Sequence, residues 1–332
     1  MTQLRAFRFA FYSVALASLA ALGGCTLQSA EASATSSAAT LVEPEASAPA
    51  EPVAANTAAV SSTHPSSRTV AHRYLNIGGT GVGFVAWAGG GNLRGTVTTS
   101  SNFNKRIETK SYEAIVVQVS PDQAGWVGNA MQDPGTEIAG SITTAEADYD
   151  KIETLSFNRA KISQVQFPTM TAQSTNTGLL TVKLDLSAAG LPQPNARRSP
   201  DAGRLNETAP GRRWLAGNFA LAVDGLDGSI KKIDSFTVKL LDSQRLEIPN
   251  LVVTMPRIDA ADWIEWADDF VSHMRGASNI GEKSGTLTFK DASGEAVGTL
   301  SLQNIGILRV SDIAGSDDVQ IELYVEGVRL DL

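Results

Sequence analysis

The chain has 332 residues, 42% of them apolar, and carries 27 Lys and Arg against 35 Asp and Glu, a formal net charge of −8. That acidic balance argues against nucleic-acid binding as a main role. A single cysteine excludes a disulfide framework, so a folded part of this length relies on its core.

The N-terminus comes first. Arg5 and Arg8 precede an apolar run from Phe9 to Leu22, FAFYSVALASLAAL, followed by Gly23 and Gly24. This is the layout of a secretory signal peptide, and it is too short for a comfortable membrane span. Leu22-Gly23-Gly24-Cys25 resembles the bacterial lipobox. The resemblance implies cleavage after Gly24, so that residues 1–24 are a lipoprotein signal peptide, and a diacylglyceryl thioether on Cys25. Thr26, standing where an Asp would retain the protein at the inner membrane, implies sorting to the outer membrane. Such a chain is anchored to a membrane, on its periplasmic or surface face, and does not span it.

From Cys25 to Val70 the composition turns to Ala, Ser, Thr, Pro and Glu with almost no large apolar residues. Such a segment buries too little surface to offset its ordering entropy and reads as a disordered tether. At about 45 residues its root-mean-square reach is roughly 40 Å. A second break, at residues 187–212, is rich in Pro, Gly, Asn and Arg and reads as a linker. The expected domains are therefore 71–186 and 213–332.

These two parts look alike. GSITTAEADYDKIETLSFNRAKISQV (Gly140–Val165) aligns without a gap on GTLTFKDASGEAVGTLSLQNIGILRV (Gly285–Val310). Upstream, Trp126 in AIVVQVSPDQAGWVGNAM stands opposite Trp263 in LVVTMPRIDAADWIEWADDF. Earlier still, RYLNIGGTGVGF parallels RWLAGNFALAVDG, and downstream LTVKLDL parallels VQIELYV. An ordered series of four matches points to duplication.

Within each part the apolar residues alternate with period two, which predicts half-buried antiparallel strands. KDASGEA places a turn inside a hairpin spanning Leu287–Leu300. DAADWIEWADDFVSHMRG instead spaces Trp263, Trp266, Phe270 and Met274 three or four apart, which predicts an amphipathic helix capped by Asp259 and Gly276 and packed on the sheet. Its counterpart holds Gly125 and Gly128 and predicts a shorter, weaker helix. The expected fold is mainly β, two similar antiparallel barrel or roll domains with one helix each.

This order of elements resembles the tail-tube protein family of contractile phages, whose fold class is shared by the type VI secretion tube. The residues that carry the resemblance are Asp224-Gly225, Trp263 and Trp266, Asp291 with Gly294, Asn304, and Glu326-Gly327. It covers the second part directly and the first through the repeat. It implies tail-tube-like β domains with a structural role. By analogy with tail proteins that carry two such domains per chain, it implies three chains in a ring of six similar domains. Open β edges that pair between copies fit that expectation. The family's usual subunits are cytoplasmic and single, whereas this chain reads as exported, lipidated and doubled.

Nothing in the sequence assembles a catalytic set. His64, His72 and His273 share no metal-ligand spacing. NIGGTGVGF (Asn76–Phe84) lacks the Lys-Ser/Thr of a phosphate loop, and its glycines read as strand bulges or close approaches. No nucleophile elbow is present. The acids at Ala267–Asp269 and at Asp317-Asp318 read as solvated faces, and Arg197, Arg198, Arg212 and Arg213 form the one basic cluster. The expectation is a non-enzymatic structural protein without cofactor or metal, partnered by the membrane and by copies of itself. The alternative is a surface or periplasmic lipoprotein that binds a ligand or a protein.

Overall fold

The alternation of apolar residues turns directly into strands. In LVVTMP, Leu251, Val253 and Met255 are buried and the residues between them are half-buried. In LTVKLDL, Leu180, Val182, Leu184 and Leu186 face the core. The computed structural model describes residues 69–332 apart from 101–102, 187–195, 202, 206–211, 242–244 and 274–280. The expected signal peptide, Cys25 and most of the expected tether lie outside the described residues, as do the Met274 and Gly276 of the expected helix.

The first part contains β1 (His72–Ile77), β2 (Thr80–Phe84), β3 (Trp87–Gly89), β4 (Leu93–Thr99), β5 (Lys105–Tyr112) and β6 (Ile115–Val119). A 3-10 turn at Pro121–Gln123 leads into α1 (Gly125–Gln132). Then come β7 (Ile138–Ala145), β8 (Lys151–Phe167), β9 (Met170–Thr171), β10 (Leu180–Leu186) and β11 (Ala196–Pro200). The second part contains β12 (Trp214–Val223), β13 (Lys232–Ile233), β14 (Phe236–Leu241), β15 (Arg245–Glu247) and β16 (Leu251–Pro256). A 3-10 turn at Arg257–Asp259 precedes α2 (Ala261–His273), followed by β17 (Lys283–Asp291), β18 (Ala296–Asp312) and β19 (Asp318–Asp331).

The protein is mainly β, and its strands lie in two large sheets and one small one. The first runs β2-β1-β7-β8-β10-β6-β3 and the second β12-β17-β18-β19-β16-β13-β9, while β4 and β5 pair only with each other. The first sheet nearly closes into a barrel. Its two end strands are joined through Val85-Ala86, where the Val85 N–H donates to Arg73 O (2.9 Å) and the Ala86 N–H to Gln118 O (3.0 Å).

Five neighbouring strands keep one order in both sheets: β1-β7-β8-β10-β6 and β12-β17-β18-β19-β16. Irregularities recur as well. The β7–β8 register slips between Ile138↔Ala160 and Gly140↔Phe157, and the β17–β18 register between Lys283↔Ile305 and Gly285↔Leu302. Each slip is a bulge carried by a non-glycine residue in the left-handed region, Arg159 and Asn304, both at φ 51°. A second slip divides Gln164 from Ile162 against β10, and Arg309 from Ile307 against β19. The gapless match of Gly140–Val165 to Gly285–Val310 is thus also a match of bulges.

One alignment requires correction. Arg73 and Arg213 are not equivalent. β1 sets Leu75 opposite Ile142 and β12 sets Leu221 opposite Leu287, so Arg73 corresponds to Phe219. The expected cap is also displaced. Asp259 lies in the 3-10 turn before α2, and its carboxylate accepts from the Ser229 N–H at 3.4 Å.

The two parts exchange strands. β14 pairs with β8, Phe236 opposite Phe167 and Val238 opposite Val165. In return β9 pairs with β13, and residues just beyond β9 bond to β12, with Gly178 N–H to Trp214 O at 2.9 Å and Ala216 N–H to Asn176 O at 2.8 Å. The segment expected to be a linker contributes β11, with Arg197 opposite Ser156 and the edge residue Pro200 opposite Glu153. β10 and β11 follow one another along β8 as the single strand β19 follows β18. Leu186 and Ala196 take the places on β8 that Val325 and Val328 take on β18, so the expected linker falls between two strands that correspond to one.

The described residues belong to one compact unit, and aromatic side chains fill the seam between the two parts. Phe167 stacks on Phe236 with centroids 4.6 Å apart and on Phe289 at 5.9 Å, and Trp214 lies 4.7 Å from Phe289. Helix α2 packs on β18 with Trp263, Trp266 and Phe270 buried. Its indoles are satisfied, Trp263 Nε1–H by Asp227 O (3.0 Å) and Trp266 Nε1–H by Gly281 O (2.9 Å). Helix α1 is shorter, as its glycines predict, and Gly128 lies against the Leu330 backbone of β19.

Candidate assembly surface

Strand β8 has a partner on each edge near its end. β10 pairs with Gln164–Gln166 on one side and β14 with the same residues on the other. Val165 and Phe167 are consequently fully buried. The equivalent stretch of β18, Arg309–Asp312, pairs with β19 on one side. Among the described residues no strand pairs with its other side. Val310, the counterpart of Val165, is only half-buried, and Leu308, the counterpart of Ser163, is 47% exposed.

The β4–β5 hairpin is the counterpart of the β14–β15 hairpin. β3 and β13, which precede them, pair equivalently with β6 and β16, Ala88 opposite Val117 and Ile233 opposite Val253. The hairpin registers then coincide: Arg94↔Ser111 matches Lys239↔Glu247, and Gly95↔Lys110 matches Leu240↔Leu246. Their surroundings differ. Val238 is fully buried against β8, whereas every residue of β4 is exposed and the hairpin carries Leu93, Val97, Phe103 and Ile107 into solvent. The 3-10 turns diverge likewise. Asp122 has a buried carboxylate oxygen where the first turn lies against β18, and its counterpart Ile258 is 88% exposed. These exposed apolar residues on one small sheet make it the candidate contact surface.

The residues singled out in the sequence do not converge. His72 stacks on Tyr149 (centroids 4.3 Å apart) beside Phe84, with Nε2 3.3 Å from Ala147 O. His273 ends α2, and His64 lies outside the described residues. Asn76–Phe84 forms the β1–β2 hairpin, which turns at Gly78 and Gly79 with positive φ and carries a bulge at Leu75/Asn76. Asp268 and Asp269 are exposed on α2. Asp318 pairs with Lys231. No group of three metal-ligating residues occurs among the described residues. Asn304 Nδ2 donates to Glu326 Oε2 at 2.9 Å across the bulge.

Of the basic cluster, Arg197 and Arg198 lie on β11. Arg212 is held by Asp291 (2.8 Å) and by Glu295 at the β17–β18 turn. Asp291 also accepts from Ser293 Oγ (2.6 Å), the Ser293 N–H (2.9 Å) and the Glu295 N–H (3.0 Å). The Ser293 hydroxyl, then Arg212 and the turn amides, outweigh desolvation and lower the Asp291 pKa from 3.8 to about 2. Asp291 therefore contributes stability that is complete above its unfolded value and is lost as pH falls through about 2. Asp291→Asn is expected to lower the melting temperature at pH 6 and to leave it nearly unchanged at pH 2. Melting curves at both pH values test this, and equal losses at both would refute it.

The sequence did not single out the β4–β5 hairpin. The exposed apolar residues Val97 and Ile107, in strands with a polar partner face, were the available signal. No protein-family model and no curated protein sequence matches this chain.

Proposed function

We propose that this protein is an outer-membrane-anchored structural protein, built from two duplicated tail-tube-like domains, that acts as a ring or scaffold component of a cell-envelope assembly. The recurrence of strand order and bulge positions in the two sheets supports duplication. The observation that carries the assembly reading is the strand exchange at β8. There one part completes the other's edge, while among the described residues no strand lies beside the equivalent edge of β18. A repeated unit that completes its neighbour in this way propagates head to tail until the rotation closes. Three chains would place six such units around one axis. The lipid on Cys25 would hold that ring at the membrane, and the tether would set its distance.

Light scattering on the unit from Thr63 to Leu332, with negative-stain imaging, tests the reading. The expected result is the mass of a trimer and a ring with a central hole. A monodisperse monomer at high concentration would overturn it.

A further inference from the structure

We infer that the β4–β5 hairpin of one copy adds to the edge of β18 at Arg309–Asp312 in a second copy, in the register that β14 adopts on β8. This rests on the ring reading and names the surfaces that would make it.

The template lies within the chain. β14 sets Phe236, Thr237, Val238 and Lys239 opposite Phe167, Gln166, Val165 and Gln164. The matched hairpin registers turn these four donors into Gly91, Asn92, Leu93 and Arg94. The matched bulges turn the four acceptors into Asp312, Ser311, Val310 and Arg309. The addition therefore places Leu93 of one copy opposite Val310 of the next. Both are now solvent-accessible at positions whose counterparts, Val238 and Val165, are fully buried.

Side-chain size agrees with this register. Within the chain the large Leu240 and the small Ser163 line one recess of 390 Å³ together with Ile162 and Leu186. Their counterparts reverse the sizes: Gly95 on the donor and Leu308 on the acceptor. Arg94 falls opposite Arg309, and each already has a carboxylate in its own copy, Glu113 for Arg94 and Glu322 for Arg309. The remaining exposed apolar residues of the second part, Ile258 and Val271, lie on the turn and helix corresponding to the pair that meets β18 and β19 within the chain. Edge addition of this kind supplies main-chain hydrogen bonds for affinity and side-chain positions for register.

The occupant is a second copy of this chain because donor and acceptor are the two halves, unpaired among the described residues, of a contact the chain already makes once. Both ends belong to one molecule, so the contact is heterologous and repeats.

The test uses the full chain carrying Leu93→Cys and Val310→Cys, oxidised at concentrations where it assembles. Opposed residues in antiparallel strands lie about 4.5–5.5 Å apart, within disulfide reach. The expected result is disulfide-linked dimers and trimers. The slipped pair Asn92→Cys with Val310→Cys should link poorly, and the single-cysteine variants control for Cys25. Separately, Leu93→Asp is expected to weaken association roughly tenfold to a hundredfold, with no change in the melting temperature measured at concentrations too low for assembly. Assembly with no cross-link and no effect of Leu93→Asp would overturn this inference and leave the ring reading intact. A monomer at every concentration would overturn both. Cross-linked chains of indefinite length would support the hairpin contact and overturn the closed ring.

Discussion

Phe167→Ala is expected to destabilise the protein by about 3–5 kcal/mol, the range for removing a buried aromatic ring. The side chain is fully buried at the end of β8, stacked on Phe236 at 4.6 Å and on Phe289 at 5.9 Å. Those neighbours belong to the other part of the sequence, and Phe236 lies directly across from it on β14. The pairing holds the backbone on both sides, so the cavity would collapse only partly. The seam is shared, so both sheets are expected to lose stability together, and urea unfolding should show one shifted transition. A loss within about 0.5 kcal/mol, the range of surface changes, would show that the seam is not where the parts are held.

Gly178→Ala is expected to have a comparable effect from the opposite cause, overfilling. A Cβ at position 178 would fall 2.2 Å from the Trp214 ring, well inside van der Waals contact. Neither partner has room to yield. The Gly178 N–H is bonded to Trp214 O, Thr177 bridges to Leu215, and Trp214 is fully buried with its indole N–H directed to Asn218 O. Overpacking typically costs about 1–3 kcal/mol, and a clash with a pinned ring belongs at the upper end. The mechanism has its own check. Combining Gly178→Ala with Trp214→Leu should cost less than the sum of the two single changes, because the smaller side chain vacates the space. Strict additivity would place the damage elsewhere.

The β17–β18 hairpin and its first-part counterpart were legible because a gapless match extended across a turn with fixed chemistry, Asp291 and Gly294. α2 was legible from the spacing of Trp263, Trp266 and Phe270. The alignment of β1 with β12 was misplaced by an even number of positions. Strand patterns have period two, so such a slide keeps every apolar residue facing the core and leaves no mark in composition. β11 was hidden for a different reason. ARRSP has no apolar alternation, since it lies along an edge and ends in proline. The exchange of β14 and β9 is a pairing between residues far apart in the chain, set by which edges are left open once each sheet has formed. No local pattern encodes it, and with it the exposed apolar residues of β4, β5 and β18 stayed out of view.

The exchange also orders events in time. Phe236 and Val238 emerge from the ribosome well after Val165 and Phe167, whose edge they cover. Until they arrive, the first sheet presents an open strand end and an unburied ring, the kind of surface that recruits other chains. Translation that stops between Leu186 and Phe236 therefore yields a product with an adhesive edge and not a self-sufficient half. The first part thus completes its edge only when the second part has been made.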